Sequence, residues 1–264
     1  MSGVLKGQVA LVTGGGRGFG REIAKGLAAA GARVAVTARS KEQLEETVNQ
    51  IEADGGKAFA VSGDVTGRDD VDRVVSEVKK HFGAVTLLVN NAGLAGPFGP
   101  IWYVDPDLWW NSQAIHVRGV FLFTHAVFPD MMKAGVGRII NVASRGGTEV
   151  TPNVSAYCVG KASQIRLTEH IAAEGKEHGI SAFAIEPGTV FTDMARTTIA
   201  DPEAQRWVPW MLEILQDIGD REDPAVGFAR CVEMCVGLAS GRYDALSGRY
   251  LDPKDDFGAL VKEG

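Results

Sequence analysis

The sequence alternates short runs of β-branched and apolar residues with longer amphipathic segments, and this alternation limits the possible folds most. Strand-like runs separated by helical patterns form βαβ units, whose right-handed crossovers place helices on both faces of a parallel sheet. We therefore predict an α/β protein with a doubly wound parallel sheet of about seven strands and helices on both faces. The predicted strands are 9–13, 33–37, 58–61, 86–90, 138–142, 181–185 and 248–251. The predicted helices are 20–30, 41–53, 71–81, 108–133 and 156–178.

The length of 264 residues suits one large α/β domain, so residues 1–264 are predicted to form a single catalytic domain. Segment 189–225 interrupts the alternation, because it has no clear strand. A long insertion after the sixth strand predicts a substrate lid over the carboxyl ends of the strands. The alternative is an additional helix pair that closes the core or forms a subunit contact. The segment contains three prolines and an apolar cluster: Pro202, Pro209, Pro224, Trp207, Trp210, Met211 and Leu212.

Composition excludes several classes of protein. The net charge is −6 and charges of both signs are interleaved, which argues against a dedicated nucleic-acid surface. The cysteines Cys158, Cys231 and Cys235 have no disulfide-framework spacing, which favours a reducing compartment. No apolar run is long enough to span a membrane, and the first residues do not have the pattern of a signal peptide. We therefore expect a cytoplasmic protein.

A glycine-rich turn follows the first predicted strand and precedes a predicted helix. Glycines allow the backbone to turn tightly and to approach a phosphate closely, and the N-terminus of the helix attracts negative charge. The turn predicts a binding site for the pyrophosphate of a dinucleotide, although such turns also serve only to pack a helix on a strand. The candidate binding residues of the turn are Gly14, Gly16, Arg17, Gly18, Phe19 and Gly20.

The end of the second strand indicates which nicotinamide cofactor binds. An acidic residue usually binds the ribose 2′-hydroxyl of NAD at this position, whereas Arg39 and Ser40 follow the strand here. Arg39, together with Arg17 from the glycine turn, can form charge-assisted contacts with a 2′-phosphate. We therefore predict NADP(H) rather than NAD(H). The alternative is that both arginines are solvated surface residues.

Ser144, Tyr157 and Lys161 are the candidate catalytic residues. Tyr157 and Lys161 are four residues apart, so in a helix they lie on one face. A free tyrosine has a pKa of about 10, and a nearby ammonium is expected to lower it toward the range in which proton transfer is efficient. The Ser144 hydroxyl is expected to hydrogen-bond to the substrate oxygen and hold it against Tyr157.

Taken in order, these motifs resemble those of the short-chain dehydrogenase/reductase family, whose fold is Rossmann-like. The resemblance covers about residues 6–192 and returns weakly at 246–252. It implies that Lys161 binds the nicotinamide ribose, that Asp64 and Val65 lie by the adenine, and that Asn91 to Gly93 lie by the adenosine ribose. It also implies contacts to the carboxamide from Thr192 and the Val190 backbone. The motifs are Thr13-Gly14-x3-Gly18-x-Gly20, Asp64-Val65, Asn90-Asn91-Ala92-Gly93, Ser144, Tyr157-x3-Lys161 and Pro187-Gly188-Thr189-Val190-Phe191-Thr192.

Two positions depart from the family pattern. His116 lies where the family usually has an asparagine that organises a water chain from the catalytic lysine. A histidine also donates and accepts hydrogen bonds, so we expect His116 to serve this proton relay and to make it pH-sensitive. The alternative is a packed helix residue without a role. The ending Tyr250-Leu251-Asp252-Pro253 replaces the usual Val-Asp-Gly-Gly, which leaves the contacts of the C-terminal strand open.

These features predict an NADP-dependent oxidoreductase that transfers a hydride between nicotinamide and a ketone, an aldehyde or a secondary alcohol, with Tyr157 as general acid or base. A 3-oxoacyl-thioester reductase is the alternative enzyme, although basic residues typical of carrier-protein docking are absent at Gly135 and Ala173. The alternative of another class is a cofactor-binding regulatory protein with weakened catalysis. The resemblance also implies a homodimer or homotetramer built on helices 108–133 and 156–178. The substrate is expected to be small and apolar, in a pocket formed by Ser144, Gly146, Gly147, Val150, Leu94, Phe191 and the tryptophan-bearing lid.

Overall fold

Seven parallel strands form one sheet in the order β3-β2-β1-β4-β5-β6-β7. The computed structural model describes residues 3–221 and 223–263. The predicted parallel sheet with flanking helices is confirmed, and each predicted strand coincides with an observed one to within two residues at either end. The strands are β1 Val9–Thr13, β2 Arg33–Ala38, β3 Lys57–Ser62, β4 Leu87–Asn90, β5 Gly137–Val142, β6 Ile180–Ile185 and β7 Tyr250–Leu251.

Helices cover both faces of the sheet. No helix of the described residues is both long enough and apolar enough to cross a membrane. The helices of the first half of the chain are α1 Gly18–Ala29, α2 Lys41–Ala53, α3 Arg68–Phe82, α4 Pro106–Gln113 and α5 Val120–Ala134. Those of the second half are α6 Ser155–Gly175, α7 Asp193–Ala200, α8 Pro202–Trp207, α9 Pro209–Arg221, α10 Pro224–Ala239 and α11 Phe257–Glu263.

The central strand β1 shows how the sequence pattern builds two cores. Side chains alternate across a strand, so Ala10 and Val12 pack under α1, α2 and α10, while Val9 and Leu11 pack under α3, α5 and α6. All four side chains are almost completely buried. Cys231 and Cys235 of α10 lie in the first core as small buried residues.

The predicted helix 108–133 is divided in the structure. A π-helical turn, Ala114–Gly119, lies between α4 and α5, and it contains His116. π turns are rare and occur frequently at functional sites, because the additional residue redirects side chains.

Segment 189–225 is largely helical, and its residue 222 lies outside the described residues. Pro202, Pro209 and Pro224 are the first residues of α8, α9 and α10, where a missing backbone N–H costs nothing. Helices α8 and α9 pack on the loop before α4 and on the start of α6 through a third core. Its buried members are Phe98, Val154, Ala204, Val208 and Leu212.

Candidate active site

A cavity of about 650 Å³ opens at the carboxyl ends of the strands. The strand order reverses between β1 and β4, and ligands of open α/β sheets bind at such a reversal. The glycine turn lines one part of this cavity, and Ser144, Tyr157 and Lys161 line another. The topology therefore brings the predicted cofactor and catalytic residues together.

The glycine turn has a geometry that requires glycine. Gly14 has a φ of +64°, a left-handed conformation that side chains disfavour. A Cβ on Gly20 would lie 2.2 Å from the Gly14 carbonyl oxygen, so Gly20 permits the close approach of α1 to β1. Gly20 therefore does not line the cavity, in contrast to the prediction, and its role is packing. The other predicted cofactor residues line it: Gly14, Gly16, Arg17, Gly18, Phe19, Arg39, Ser40, Asp64, Val65, Asn91, Ala92, Gly93, Tyr157, Lys161, Pro187, Gly188, Val190 and Thr192.

The N-terminus of α1 has properties that suit an anion. No side chain caps it, and its first turn contains no acidic residue. The unpaired N–H groups and the helix dipole therefore face the cavity beside Gly16 and Gly18. The Asn91 amide secures this turn, because it donates to the carbonyl oxygens of Thr13 (3.0 Å) and Gly14 (3.2 Å). These observations fit the pyrophosphate of a dinucleotide.

Arg17 and Arg39 are exposed at the rim of the cavity. Within the described residues, no ion pair or hydrogen bond engages either guanidinium group. Ser40 caps α2 by accepting from Gln43 N at 3.3 Å, and it donates to the Glu42 carboxylate at 2.9 Å. The two guanidinium groups are therefore available to a ligand with a phosphate at this end.

Two further predicted cofactor residues also have local structural roles. The Asp64 carboxylate accepts from the backbone N and the hydroxyl of Thr66, both at 2.8 Å, which closes the turn after β3. The Thr192 hydroxyl caps α7 by accepting from Ala195 N at 3.5 Å. Both side chains nevertheless face the cavity.

The phenol of Tyr157 has an environment that differs from the prediction. Burial raises its pKa to about 12, and a hydrogen bond with Ser144 lowers it only in part. The expected lowering of the Tyr157 pKa by the lysine is therefore wrong. Lys161 Nζ lies 5.6 Å from the ring centroid of Tyr157, but it donates to the carbonyl oxygen of Val142 at 2.6 Å. Desolvation outweighs the ammonium at this distance.

Lys161 is itself strongly perturbed. It is only 4% exposed, and desolvation lowers its pKa to about 7, although the negative charge of Glu186 acts in the opposite direction. An ammonium is costly to bury, which explains the direction. Lys161 therefore exchanges its proton near neutral pH, a property associated with functional sites.

His116 lies against Tyr157, and its ring is hydrogen-bonded to the backbone of Leu94. The two aromatic rings meet edge to face with centroids 5.6 Å apart, and Nε2 donates to the Leu94 carbonyl oxygen at 2.9 Å. Its Nδ1 is buried without a partner among the described residues. Desolvation and the charge of Lys161 lower its pKa to about 3, so the ring is neutral at working pH. The expected pH-sensitivity of the relay therefore does not follow from this ring.

Two residues of the site, Glu186 and Gln164, were not predicted from the sequence. Glu186 precedes Pro187 and is buried, and its carboxylate accepts from the Tyr250 hydroxyl at 3.0 Å and from Gly188 N at 3.1 Å. Tyr250 of the C-terminal strand, which departs from the family pattern, thus binds the Glu186 carboxylate. A carboxylate directly after the predicted buried strand 181–185 was the sequence feature that could have indicated Glu186. Gln164 is the second missed residue, and it accepts a hydrogen bond from Lys161 Nζ at 3.2 Å.

The substrate end of the cavity differs from the predicted pocket. Leu94 and Ser144 line it as predicted, whereas Gly146, Gly147, Val150 and Phe191 do not. Val150 is 95% exposed, and Phe191 packs against Gly219. The tryptophans Trp207 and Trp210 also lie outside the lining, because Trp207 packs on Tyr103 and Trp210 faces solvent. The residues that line this end beside Leu94 and Ser144 are Ala95, Phe98, Asn111, Ile115, Val154, Met194, Thr198, Met211 and Leu215.

Comparisons with known proteins agree with this geometry. A family model described as short chain dehydrogenase matches residues 8–203. A short chain dehydrogenase of Pseudocercospora fijiensis is 34% identical over 99% of this chain and 84% of its own length. A 3-oxoacyl-[acyl-carrier-protein] reductase of Synechocystis sp. is 37% identical over 76% of this chain and 81% of its own length.

Solved structures give the same result. A putative gluconate dehydrogenase from Agrobacterium tumefaciens superposes with a TM-score of 0.81 at 29% identity, covering 98% of this chain and 99% of its own. An NAD⁺-bound xylitol dehydrogenase superposes with a TM-score of 0.79 at 28% identity, covering 94% of this chain and 98% of its own.

Proposed function

Because the chain belongs to the short-chain dehydrogenase/reductase family, we propose that it is an NADP(H)-dependent oxidoreductase that interconverts a ketone or aldehyde and the corresponding alcohol. The observation that carries the proposal is the joint placement of Ser144, Tyr157 and Lys161 in one cavity with an uncapped, glycine-rich helix N-terminus. The cofactor, when bound, supplies or accepts the hydride. The residues of the chain bind, orient and move the proton.

Tyr157 is the proposed proton donor to the carbonyl oxygen. A phenol with a pKa raised to about 12 remains protonated at neutral pH, which suits donation and therefore carbonyl reduction. Ser144, which lines the same cavity and lowers the pKa of Tyr157 in part, orients the substrate oxygen. Lys161 binds the cofactor ribose and holds a proton near neutral pH.

The test of this function is NADPH oxidation with a panel of ketones and aldehydes, followed by Tyr157→Phe. The variant keeps the ring and removes the transferable proton, so kcat should fall by roughly 10²-fold or more. Its NADPH affinity should remain near that of the wild type. Tyr243→Phe is the matched control, because Tyr243 packs on Phe257 away from the cavity and should tolerate the change. Near wild-type turnover by Tyr157→Phe would exclude Tyr157 as the acid.

The preference for NADP(H) rests on Arg39 and Arg17. Their unengaged guanidinium groups support binding of a 2′-phosphate, and the nearby Glu42 carboxylate is hydrogen-bonded to Ser40. Arg39→Asp should lower the ratio of kcat/KM for NADPH to that for NADH by about tenfold or more, because a close charge contact contributes roughly 1–4 kcal/mol. Arg230→Asp, an exposed arginine of α10 outside the cavity, is the charge-matched control. A wild type that prefers NADH would refute this assignment.

The substrate is proposed to be small, uncharged and largely apolar. Most residues at the substrate end are aliphatic, aromatic or methionine, and none of the described residues lining that end is a lysine or arginine other than Lys161. The buried Glu186 carboxylate adds negative charge to the same cavity, which disfavours anionic substrates. Among substrates of equal size, neutral ketones should therefore react with higher kcat/KM than keto acids.

A 3-oxoacyl-thioester reductase is the second candidate, and the 37% identical reductase from Synechocystis sp. supports it. Assay with acetoacetyl thioester discriminates it from a general ketone reductase. Tight NADPH binding without turnover of any carbonyl would favour a regulatory protein instead. We also propose a cytoplasmic location, in keeping with three free thiols, and a homodimer or homotetramer.

A further inference from the structure

A glutamine joins the candidate catalytic lysine to the π-helical turn. Gln164 lies three residues after Lys161 on α6 and is only 1% exposed. Its Oε1 accepts from Lys161 Nζ at 3.2 Å, and its Nε2 donates to the His116 carbonyl oxygen at 2.8 Å. Both ends of one amide are therefore engaged, and one end contacts a residue of the site.

The π turn and a glycine of α6 bring the His116 carbonyl within reach of Gln164. His116 lies within the π turn Ala114–Gly119, in which backbone hydrogen bonds span five residues instead of four. Gly160 of α6 permits the approach, because a Cβ there would lie 2.7 Å from His116 Cβ. The turn and α6 are thereby close enough for one glutamine side chain to connect them.

Gln164 is also fixed from the sheet. Its backbone oxygen accepts from the Thr168 hydroxyl at 2.8 Å, and Asn141 Nδ2 donates to that hydroxyl at 2.8 Å. Asn90 Nδ2 donates in turn to Asn141 Oδ1 at 2.9 Å. All four of these side chains are at most 2% exposed, so the network is rigid and shielded from water.

The hydrogen bonds of Lys161 determine which of its N–H groups can face the reacting groups. An ammonium has three N–H donors and no acceptor. The Val142 carbonyl oxygen and Gln164 Oε1 each take one, which fixes the direction of the third. We propose that Gln164 is a positioning residue, which holds the Lys161 ammonium so that one N–H remains free for the reacting groups beside Tyr157. This inference rests on the proposed function.

The surroundings of Lys161 make the role measurable. The titratable groups that face it are Tyr157 of α6, Glu186 at the end of β6 and His116 of the π turn. A neutral acceptor such as Gln164 stabilises the charged form of the amine, whereas a carboxylate at the same place would stabilise it further. An apolar side chain in place of Gln164 should therefore lower the pKa of Lys161, and a carboxylate in its place should raise that pKa.

The test compares Gln164→Met and Gln164→Glu with the wild type. Lysine side chains are labelled with ¹³C, the Lys161 resonance is assigned from its loss in Lys161→Met, and its titration is followed by NMR without cofactor. The titration midpoint should fall in Gln164→Met and rise by about one pH unit or more in Gln164→Glu. With NADPH and a reactive ketone, Gln164→Met should lower kcat on the order of 10- to 100-fold with KM for the ketone little changed.

Gln113→Met is the matched control. Gln113 is also a buried glutamine that donates to a backbone carbonyl, that of Ala156 at 2.7 Å, but no hydrogen bond joins it to Lys161 among the described residues. This control should lower the melting temperature without moving the Lys161 titration. A midpoint that stays in place in both Gln164 variants, or an unchanged kcat in Gln164→Met, would overturn the inference and leave Gln164 a structural residue. If the wild type reduces no carbonyl compound, the proposed function fails, and the NMR titration still decides whether Gln164 controls Lys161.

Discussion

At the scale of single residues, burial competes with charge pairing around Tyr157 and Lys161. The spacing of four residues correctly places both side chains on one face of α6. The pKa of Tyr157 is nevertheless raised and that of Lys161 lowered, because each group loses hydration in the cavity wall. A sequence gives the spacing, but the depth of burial depends on elements far away in the chain, such as β6 and the π turn.

The lowered pKa of Lys161 predicts a pH-dependent effect on stability. The folded protein releases this proton near pH 7, whereas the unfolded chain retains it to about pH 10.5. Between these values the unfolded state binds more protons, so this residue makes the unfolding free energy rise with pH. Lys161→Met lacks this contribution. The unfolding free energy of the wild type should therefore increase relative to that of the variant by roughly 1 kcal/mol per pH unit between pH 7 and pH 9.

Urea denaturation of both proteins without cofactor measures this difference. The absolute stabilities also include the loss of two hydrogen bonds in the variant, so the informative quantity is the change of the difference with pH. Parallel dependence of the two proteins on pH would show that Lys161 titrates at its ordinary value when folded.

Substitutions of His116 test whether this residue takes part in proton transfer or only stabilises the structure. Because its ring is neutral and donates to the Leu94 carbonyl, His116→Asn and His116→Leu should leave the midpoint of the kcat–pH profile unchanged. His116→Leu should be the less active and less stable variant, since it leaves the Leu94 carbonyl without its partner, at a cost of about 1–3 kcal/mol. The measurements are kcat from pH 5 to 9 and the melting temperature. A shifted midpoint of the kcat–pH profile in both variants would show that the His116 imidazole takes part in the proton relay.

At the scale of secondary structure, the regular βαβ region was predictable and the segment after β6 was not. Alternating patterns gave strands and helices close to the observed ones, because each element buries a continuous face against the sheet. No helix bounds were predicted within 189–225, whereas Pro202, Pro209 and Pro224 each begin a helix. The π turn left no trace in the sequence, because its extra residue is accommodated by contacts with α6 and not by local propensity.

Helix α9 offers a matched pair of residues to test the proposed lid. Met211 and Leu215 line the cavity, whereas the adjacent Leu212 is buried in the third core. Met211→Ala should raise KM for an apolar ketone severalfold with little change in melting temperature. Leu212→Ala should instead lower the unfolding free energy by about 2–5 kcal/mol, as is usual for a buried leucine. Equal effects of both substitutions on KM would argue that the segment only closes the core.

At the scale of the whole molecule, the sheet determines which parts of the site a sequence can predict. The proposed cofactor residues follow successive parallel strands, whose carboxyl ends meet at one edge of the sheet. Gly14 and Arg39 were predicted from their positions after β1 and β2, and Asp64 and Asn91 from the family resemblance; all four line the cavity. The substrate end is formed by side chains from the loop before α4, from α4 itself and from α7 and α9. No sequence periodicity links these elements. The prediction that tryptophans of segment 189–225 line the substrate pocket was therefore wrong.

Helices α5 and α6 expose large apolar side chains on the outer surface of the molecule. Phe121 of α5 and Val159 of α6 are 53% and 44% exposed, on the helices where a subunit interface is proposed. Buried aromatic residues commonly contribute about 2 kcal/mol or more to an interface, which corresponds to roughly 30-fold in association. Phe121→Asp should therefore reduce the molar mass measured by light scattering at micromolar concentration. Ile214→Asp, at a residue of α9 that is 51% exposed, is the control and should leave the mass unchanged. A mass for Phe121→Asp equal to that of the wild type, whether monomer or oligomer, would place any interface elsewhere.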